Sequence, residues 1–192
     1  MTKVLSPTEA AGALREGKVA LVPTETVAGL VAAEAGLPRI REIKGRDADK
    51  PIALLCTSPE EAFALAASVP PLARRLASLY WPGPLTLVLD LPGGGTVGVR
   101  VPEGSTVRAV LEAFGEPLYA TSANLSGELA PKGLEEVNPK VSEAVDLVVE
   151  GQQGNGEASA VVDLSGGRVR LLRATAKLTE VTLSHLATEA ER

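Results

Sequence analysis

Residues 18–29 read KVALVPTETVAG, an apolar run over 18–22 followed by a segment rich in hydroxyl groups over 23–29. A run that is apolar throughout, rather than alternating, is typical of a short strand covered on both faces. Comparable apolar runs predict further strands at 52–56, 85–89, 97–101, 117–120, 147–149, 160–164 and 169–172.

Helices are predicted between these strands, and two of them have clear start signals. Residues 6–9 read SPTE, which combines an N-cap serine, a proline at the first helical position and a glutamate at the third. Residues 58–61, SPEE, repeat the signal. Further helices are predicted at 38–44, 72–80, 106–114, 134–144 (interrupted by Pro139) and 178–190. Alternating strands and helices indicate one α/β domain with a mixed sheet.

Composition narrows the function classes. The chain has 192 residues, a formal net charge of −5 and one cysteine, Cys56. The net negative charge argues against a protein that binds nucleic acid through a broadly basic surface. It is still compatible with a local basic pocket. No apolar run approaches the roughly 20 residues that span a bilayer. We therefore expect a cytoplasmic protein without a membrane segment, and we expect the Cys56 thiol to be packed in the core.

Two polar segments are candidates for ligand binding. Residues 23–29 (PTETVAG) follow a strand, where ligands commonly meet an α/β sheet, but the same hydroxyls could cap a turn. Residues 44–51 (KGRDADKP) place three cations within seven residues, a pattern that suits phosphates but also suits a solvated loop. We leave both alternatives open on this evidence alone.

Arginines within apolar strands are further candidates for ligand binding. Arg100 lies in VGVRVP, where burial requires an anionic partner, either a protein carboxylate or a ligand. Arg173 poses the same question at a strand end. Residues 120–127 (ATSANLSG) supply small side chains and neutral donors after another strand. Trp81, the only tryptophan, is predicted to pack rather than to stack on a ligand. No metal-ligand cluster and no Walker A motif are visible in the sequence.

Together these segments resemble the YrdC/Sua5/TsaC family of threonylcarbamoyl-adenylate synthases. The matching stretches follow the family's order between residues 19 and 173: PTETVAGL, KGRDADKP, WPGPLTLVL, VGVRVP, ATSANLSG, SAVVDL and VRLLR. The resemblance implies a YrdC-like α/β fold with a twisted mixed parallel and antiparallel sheet flanked by helices. It also implies one domain over 1–192, with a core of about 4–175 and a C-terminal helix at 178–190. We expect the short form of the family, which has the catalytic domain alone.

The resemblance also assigns roles residue by residue. The positions implied to hold threonine or its carbamate are Thr26, Arg100, Ser122 and Ser159. The positions implied to hold ATP are Lys44, Arg46, Lys50, Asn124, Lys132 and Arg173. Lys44 and Arg46 are the two implied to be catalytic, because they would neutralise phosphate charge.

The implied reaction joins threonine, bicarbonate and ATP into threonylcarbamoyl-adenylate and releases pyrophosphate. ATP implies magnesium, and no metal ligand is identified from the sequence. Implied partners are the transferase proteins that use the product to modify tRNA beside the anticodon, with tRNA or double-stranded RNA as further candidates. Two alternatives remain: a non-catalytic RNA-binding paralogue with the same fold, and an enzyme that adenylates another carbamate.

The sequence departs from the family motif at Ala28, where most members have an aromatic residue. We expect that aromatic residue to form a wall of the threonine pocket. On this expectation alanine leaves the pocket more open, and Ala28→Tyr improves threonine use.

Overall fold

Ten strands form one mixed sheet in the computed structural model, which describes residues 3–45 and 52–190. In chain order, β1 to β10 are Lys3–Leu5, Val19–Pro23, Ala28–Ala32, Ala53–Leu55, Leu85–Asp90, Thr96–Arg100, Leu118–Ser122, Leu147–Val149, Ala160–Asp163 and Arg170–Arg173. Their order across the sheet is β1-β8-β2-β3-β7-β4-β6-β5-β9-β10. The pairs β1–β8, β8–β2, β4–β6 and β5–β9 are parallel, and the other neighbours are antiparallel.

Seven α-helices pack around this sheet in the described part of the chain. In chain order, α1 to α7 are Pro7–Arg15, Leu37–Lys44, Pro59–Ala64, Pro71–Tyr80, Ser105–Phe114, Pro139–Ser142 and Glu180–Ala190. None of the described helices is long and apolar enough to cross a membrane.

The helix boundaries follow local chemistry. The Ser6 hydroxyl accepts from the Glu9 amide and the Glu9 carboxylate accepts from the Ser6 amide, so the predicted capping box of α1 is confirmed. The Ser58 hydroxyl caps α3 by accepting from the Glu61 amide. Helix α2 ends at Lys44, and the next residue, Gly45, has a φ of 55°, the left-handed conformation that glycine adopts without strain.

The observed elements differ from the prediction in four places. Strands β1 and β3 were not predicted. The helix predicted at 134–144 is a 3₁₀ turn at Leu134–Glu136 followed by α6, which begins at Pro139 because proline fits the first turn of a helix. The final helix begins at Glu180 rather than at residue 178.

Large apolar side chains bury one face of the β4–β6–β5–β9 region. Leu54, Leu87, Val99 and Val162 belong to a buried cluster with the apolar sides of α4 and α7. Trp81 joins this cluster, lies 5.6 Å from the Phe63 ring centroid and donates to the Leu85 carbonyl, so its predicted packing role is confirmed.

The opposite face of the same sheet is covered only in part. Helices α1 and α5 pack on it over β2, β3 and the neighbouring end of β4. Farther along, the side chains that point to this face are small, as at Ala53, Gly98 and Ala120. Because consecutive residues of a strand point to opposite faces, the strands are packed on one side and leave a hollow on the other.

Candidate active site

A cavity of about 500 Å³ occupies this hollow. Its floor is the exposed face of β3, β7, β4, β6, β5 and β9, and the ends of these strands and their loops form its walls. The described lining residues include three cations, Lys44, Arg100 and Arg173, and no carboxylate. The cavity is therefore suited to anionic ligands.

Seven of the ten predicted site residues line this cavity. They are Thr26, Lys44, Arg100, Ser122, Asn124, Ser159 and Arg173. They come from six separate regions of the chain, and the fold brings those regions together.

Thr26 lies in the turn between β2 and β3. Its hydroxyl is 2.8 Å from the Thr24 hydroxyl, which also donates to the Val27 carbonyl at 2.7 Å. Both side chains are buried, yet both line the cavity. The two roles considered for residues 23–29, ligand binding and capping of a turn, are therefore compatible. Thr24 closes the turn, and the turn presents Thr26 to the cavity.

Arg100 is held at the end of β6 by three protein groups. Its Nε donates to the Gly83 carbonyl at 3.1 Å, and its Nη2 donates to the Glu25 carboxylate at 2.5 Å and to the Thr26 hydroxyl at 3.1 Å. The anionic partner that burial requires is thus the protein's own Glu25. Arg100 nevertheless reaches the cavity, so it combines a structural ion pair with a position for ligand contact.

Lys44 connects the end of α2 to the loop after β7. Its ammonium donates to the Ser122 carbonyl at 2.5 Å and to the Asn124 carbonyl at 2.8 Å, and it lies 3.3 Å from Asn124 Oδ1. The Asn124 side-chain amide donates to the carbonyls of Leu125 and Glu128. These contacts fix the loop that presents Ser122 and Asn124 to the cavity.

Arg173 lies across the cavity, at the end of β10. Its Nε donates to the Ser159 carbonyl at 2.5 Å and its Nη2 to the Ser159 hydroxyl at 3.1 Å. Partial desolvation lowers the pKa of the Arg173 guanidinium, and the positive charge of Arg100 lowers it further. The charges of Arg100 and Arg173 therefore repel each other at this site, and an anionic ligand would offset that repulsion.

Of the other three predicted residues, Lys132 alone is described, and it does not line the cavity. Lys132 is exposed, and its aliphatic stem lies over Gly156, where an added Cβ would come within 2.4 Å of Lys132 Cγ. Its role in nucleotide binding stays a prediction. Arg46 and Lys50 lie outside the described residues.

The expectation for Ala28 is wrong. Ala28 is fully buried in a cluster with Leu30, Ala123 and Val137, whereas its neighbour Gly29 lines the cavity. The alternation of side chains along β3 turns position 28 to the opposite face of the sheet. Alanine at this position therefore leaves no opening in the cavity wall.

Two polar residues that shape the site were not predicted from the sequence. Thr86 lines the cavity and its hydroxyl is 3.0 Å from the Ser159 hydroxyl. Its signal was a threonine within the apolar strand of WPGPLTLVL, since a hydroxyl on a buried strand needs a partner. Glu25 was considered only as part of a hydroxyl-rich turn, and its pairing with Arg100 joins positions 75 apart in the chain.

Cys56 is fully buried. Burial raises the pKa of its thiol to about 12, and the nearby charge of Glu61 contributes to the increase. The predicted packed thiol is confirmed.

Comparison with known proteins agrees with this geometry. The Sua5/YciO/YrdC family model, described as "Telomere recombination", matches residues 12–175. A threonylcarbamoyl-AMP synthase of Pyrococcus abyssi is 38% identical over 85% of this chain and 52% of its own length. A putative threonylcarbamoyl-AMP synthase of Mycobacterium tuberculosis is 31% identical over 90% of this chain and 87% of its own length.

Among solved structures, Sua5 of P. abyssi in complex with L-threonine superposes with a TM-score of 0.80 at 37% identity. The match covers 87% of this chain and 53% of that one. The chain thus spans about half the length of both P. abyssi proteins. The family model covers most of the chain and the mixed-sheet fold agrees with it, so the chain belongs to the Sua5/YciO/YrdC family.

Proposed function

We propose that this chain synthesises threonylcarbamoyl-adenylate from threonine, bicarbonate and ATP, with release of pyrophosphate. The observation that supports this most is the charge of the cavity, whose described lining has three cations and no carboxylate. Threonine, bicarbonate and ATP each carry at least one negatively charged group. The names of the relatives in P. abyssi and M. tuberculosis support the same reaction.

The two arginines divide the cavity into regions of different chemistry. Arg100 and Thr26 offer a guanidinium and a hydroxyl side by side, 3.1 Å apart, which suits the carboxylate and polar groups of an amino acid. We assign threonine to this region, with Ser122 and Ser159 as further contacts. Lys44, Asn124 and Arg173 are assigned to the nucleotide and its phosphates, together with Arg46, Lys50 and Lys132.

The chemistry that we propose has two parts. The threonine amine attacks the carbon of bicarbonate or carbon dioxide and forms N-carboxythreonine; with bicarbonate, water leaves. A carboxylate oxygen of this carbamate then attacks the ATP α-phosphorus. The bond between the α-phosphorus and its bridging oxygen breaks, and pyrophosphate carries away the electron pair.

The protein's part in this reaction is electrostatic and geometric. The carbamate and the triphosphate repel each other, and Lys44 and Arg173 offset that repulsion within a shielded cavity. Arg100 and Thr26 fix the direction of the carbamate, so that the attacking oxygen and the phosphorus meet in one orientation. No covalent intermediate with the protein is required.

Magnesium is proposed to accompany ATP as a complex with its phosphates. The described residues include no group of three or more His, Cys, Asp and Glu side chains that would hold a metal by themselves. The ion would offset part of the triphosphate charge, and we assign it no other role.

The product would pass to a threonylcarbamoyl-transferase that modifies tRNA, and we propose the cytoplasm as the location.

The test is mass spectrometry of the products formed from threonine, bicarbonate, magnesium and ATP, with pyrophosphate measured in parallel. We expect threonylcarbamoyl-adenylate, and we expect none when threonine or bicarbonate is omitted. Activation of a different amino acid in place of threonine would support the paralogue that adenylates another carbamate. Binding of tRNA by a folded chain that uses no nucleotide would support the RNA-binding module.

A further inference from the structure

The Arg100 guanidinium is fixed along one edge and open along another. Gly83, Glu25 and Thr26 occupy the donors of Nε and Nη2. In the part of the chain that the structure describes, no protein group accepts from Nη1. Arg100 lines the cavity, so the two N–H groups of Nη1 are left to meet a ligand there.

Glu25 lies behind Arg100 and is itself fixed. Its Oε1 accepts from Arg100 and its Oε2 accepts from the Gly104 amide at 3.1 Å, at the start of α5. Its backbone carbonyl accepts from the Asn155 amide. The carboxylate is largely buried, and it does not line the cavity. Glu25 therefore contacts the arginine without contacting the space in which a substrate would lie.

We infer that Glu25 is the positioning residue that makes Arg100 competent to recognise the threonine carboxylate. It holds Nη2 at the back of the site, so that Nη1 is presented to the ligand in one orientation. The inference rests on the proposed function, because that function assigns threonine to Arg100.

Glu25 also allows two arginines to occupy one cavity. Burial by itself would raise the pKa of Glu25, but the charge of Arg100 and the backbone donors outweigh burial and hold that pKa below its usual range. Glu25 is thus an anion beside Arg100, whereas no ion pair in the described part of the chain includes Arg173. Without Glu25, both cations would face each other uncompensated.

The experiment compares threonine and ATP affinity, measured separately by calorimetry, in Glu25→Gln and in the unaltered chain. Glutamine keeps the size of the side chain but offers only one oxygen for Arg100 and the Gly104 amide. We expect the threonine Kd to rise about tenfold or more, as on loss of a charge-assisted contact, and the ATP Kd to stay within about twofold. Glu61→Gln is the matched control, because Glu61 also accepts from a backbone amide and a neighbouring hydroxyl but lies at α3.

A double-mutant cycle separates positioning from a general structural effect. If Glu25 acts through Arg100, then Glu25→Gln adds little to the loss already caused by Arg100→Lys. Full additivity of the two losses would overturn the inference. A residue that merely supports the fold would lower threonine and ATP affinity together, which would overturn it as well.

A second variant approaches Glu25 from its other side. A Cβ at Gly104 would lie 2.9 Å from the Glu25 nitrogen and 3.1 Å from Oε2, so Gly104→Ala displaces the carboxylate without removing it. We expect the same selective loss of threonine affinity. Failure of the unaltered chain to bind threonine would remove the proposed function together with this inference. Threonine binding that is normal in the unaltered chain and unchanged in both variants would remove this inference alone.

Discussion

Arg100 and Arg173 differ in what compensates their charge. Arg100 has Glu25 as a buried partner, whereas Arg173 donates to the carbonyl and hydroxyl of Ser159 and forms no ion pair within the described part of the chain. Arg173 is exposed yet lines the cavity, so its charge is accessible to a ligand that enters there. At the scale of single residues, Arg173 is therefore the arginine of the described cavity lining whose charge is more available to phosphate.

The first prediction concerns Arg173→Met, which keeps much of the bulk but removes the cation. We expect the catalytic efficiency with ATP to fall about 10- to 150-fold, because a charge-assisted contact contributes roughly 1.5–3 kcal/mol. Threonine affinity should change much less. Steady-state kinetics with each substrate varied in turn gives the answer. The control is Arg168→Met, an exposed arginine just before the same strand. Equal effects of the two substitutions would contradict the assignment.

The second prediction concerns Ala28→Tyr and reverses the expectation from the sequence. Ala28 has no exposed surface and lies among Leu30, Ala123 and Val137, so a tyrosine there overpacks the core. We expect the free energy of unfolding to fall by about 1–3 kcal/mol or more, with no gain in threonine use. Denaturant unfolding and threonine kinetics on the same sample test both parts. A stable variant with a lower KM for threonine would show that position 28 does reach the pocket.

Site residues could be predicted from the sequence where they belong to a recognisable motif. They could be predicted less well where their roles depend on contacts between distant parts of the chain. Seven of the predicted positions share one cavity because six lie at or near strand ends and Lys44 ends the helix α2 beside them. The pairing of Glu25 with Arg100 could not be predicted, since it depends on how β2 and β6 are placed in the sheet. The orientation of Ala28 was missed because the segment was treated as a turn, to which the alternation of a strand does not apply.

At the scale of elements, local signals predicted the helices better than the strands. Ser6, Ser58 and Gly45 fix helix ends through bonds within a few residues, so their effect is visible in sequence. Strand β3 has no such local signal, because it contains Gly29 and two alanines. It is a strand because it pairs along its length with β2 and also with β7. Tertiary pairing commonly overrides weak strand propensity.

The loop at 151–156 is irregular in sequence but closely attached to the site. The Asn155 and Gly156 amides donate to the carbonyls of Glu25 and Thr26, and a Cβ at Gly154 would lie 2.4 Å from the Thr26 oxygen. The loop then leads directly to Ser159. It therefore sets the distance between two residues that we assign to threonine.

The third prediction follows from that close approach. Gly154→Ala must displace either the loop or Thr26, and we expect the KM for threonine to rise on the order of tenfold, since small misplacements of positioning groups are costly. The KM for ATP should change less. Gly12→Ala in α1 is the control, because a Cβ at Gly12 meets nothing within 4 Å and alanine favours the helix. An unchanged threonine KM in a folded Gly154→Ala variant would contradict the role given to this loop.

At the scale of the whole molecule, the two faces of the sheet have different roles, one in packing and the other in forming the cavity. Its large side chains are buried against α4 and α7 on one face, and its small side chains leave the cavity on the other. The chain carries a net charge of −5, yet the described lining of the cavity is cationic. A local positive field within an acidic protein selects small anions over an extended polyanion, because a nucleic acid would also meet the acidic surface.

The last prediction uses Cys56 as a reporter of the whole fold. It is the only cysteine, it is fully buried, and its amide donates to the Arg100 carbonyl beneath the cavity. With its pKa raised to about 12, roughly one thiol in ten thousand is ionised at pH 8, and burial blocks access as well. We therefore expect a thiol reagent to label the native chain only through unfolding, so that labelling and loss of circular dichroism share one denaturant midpoint. If labelling follows the opening equilibrium, a substrate at about 100 times its Kd should slow it about 100-fold, since such a ligand adds roughly 2.7 kcal/mol to stability. Rapid labelling of a chain that keeps its full circular dichroism would show that β4 opens locally, and that the face beneath the cavity is not held as firmly as its packing indicates.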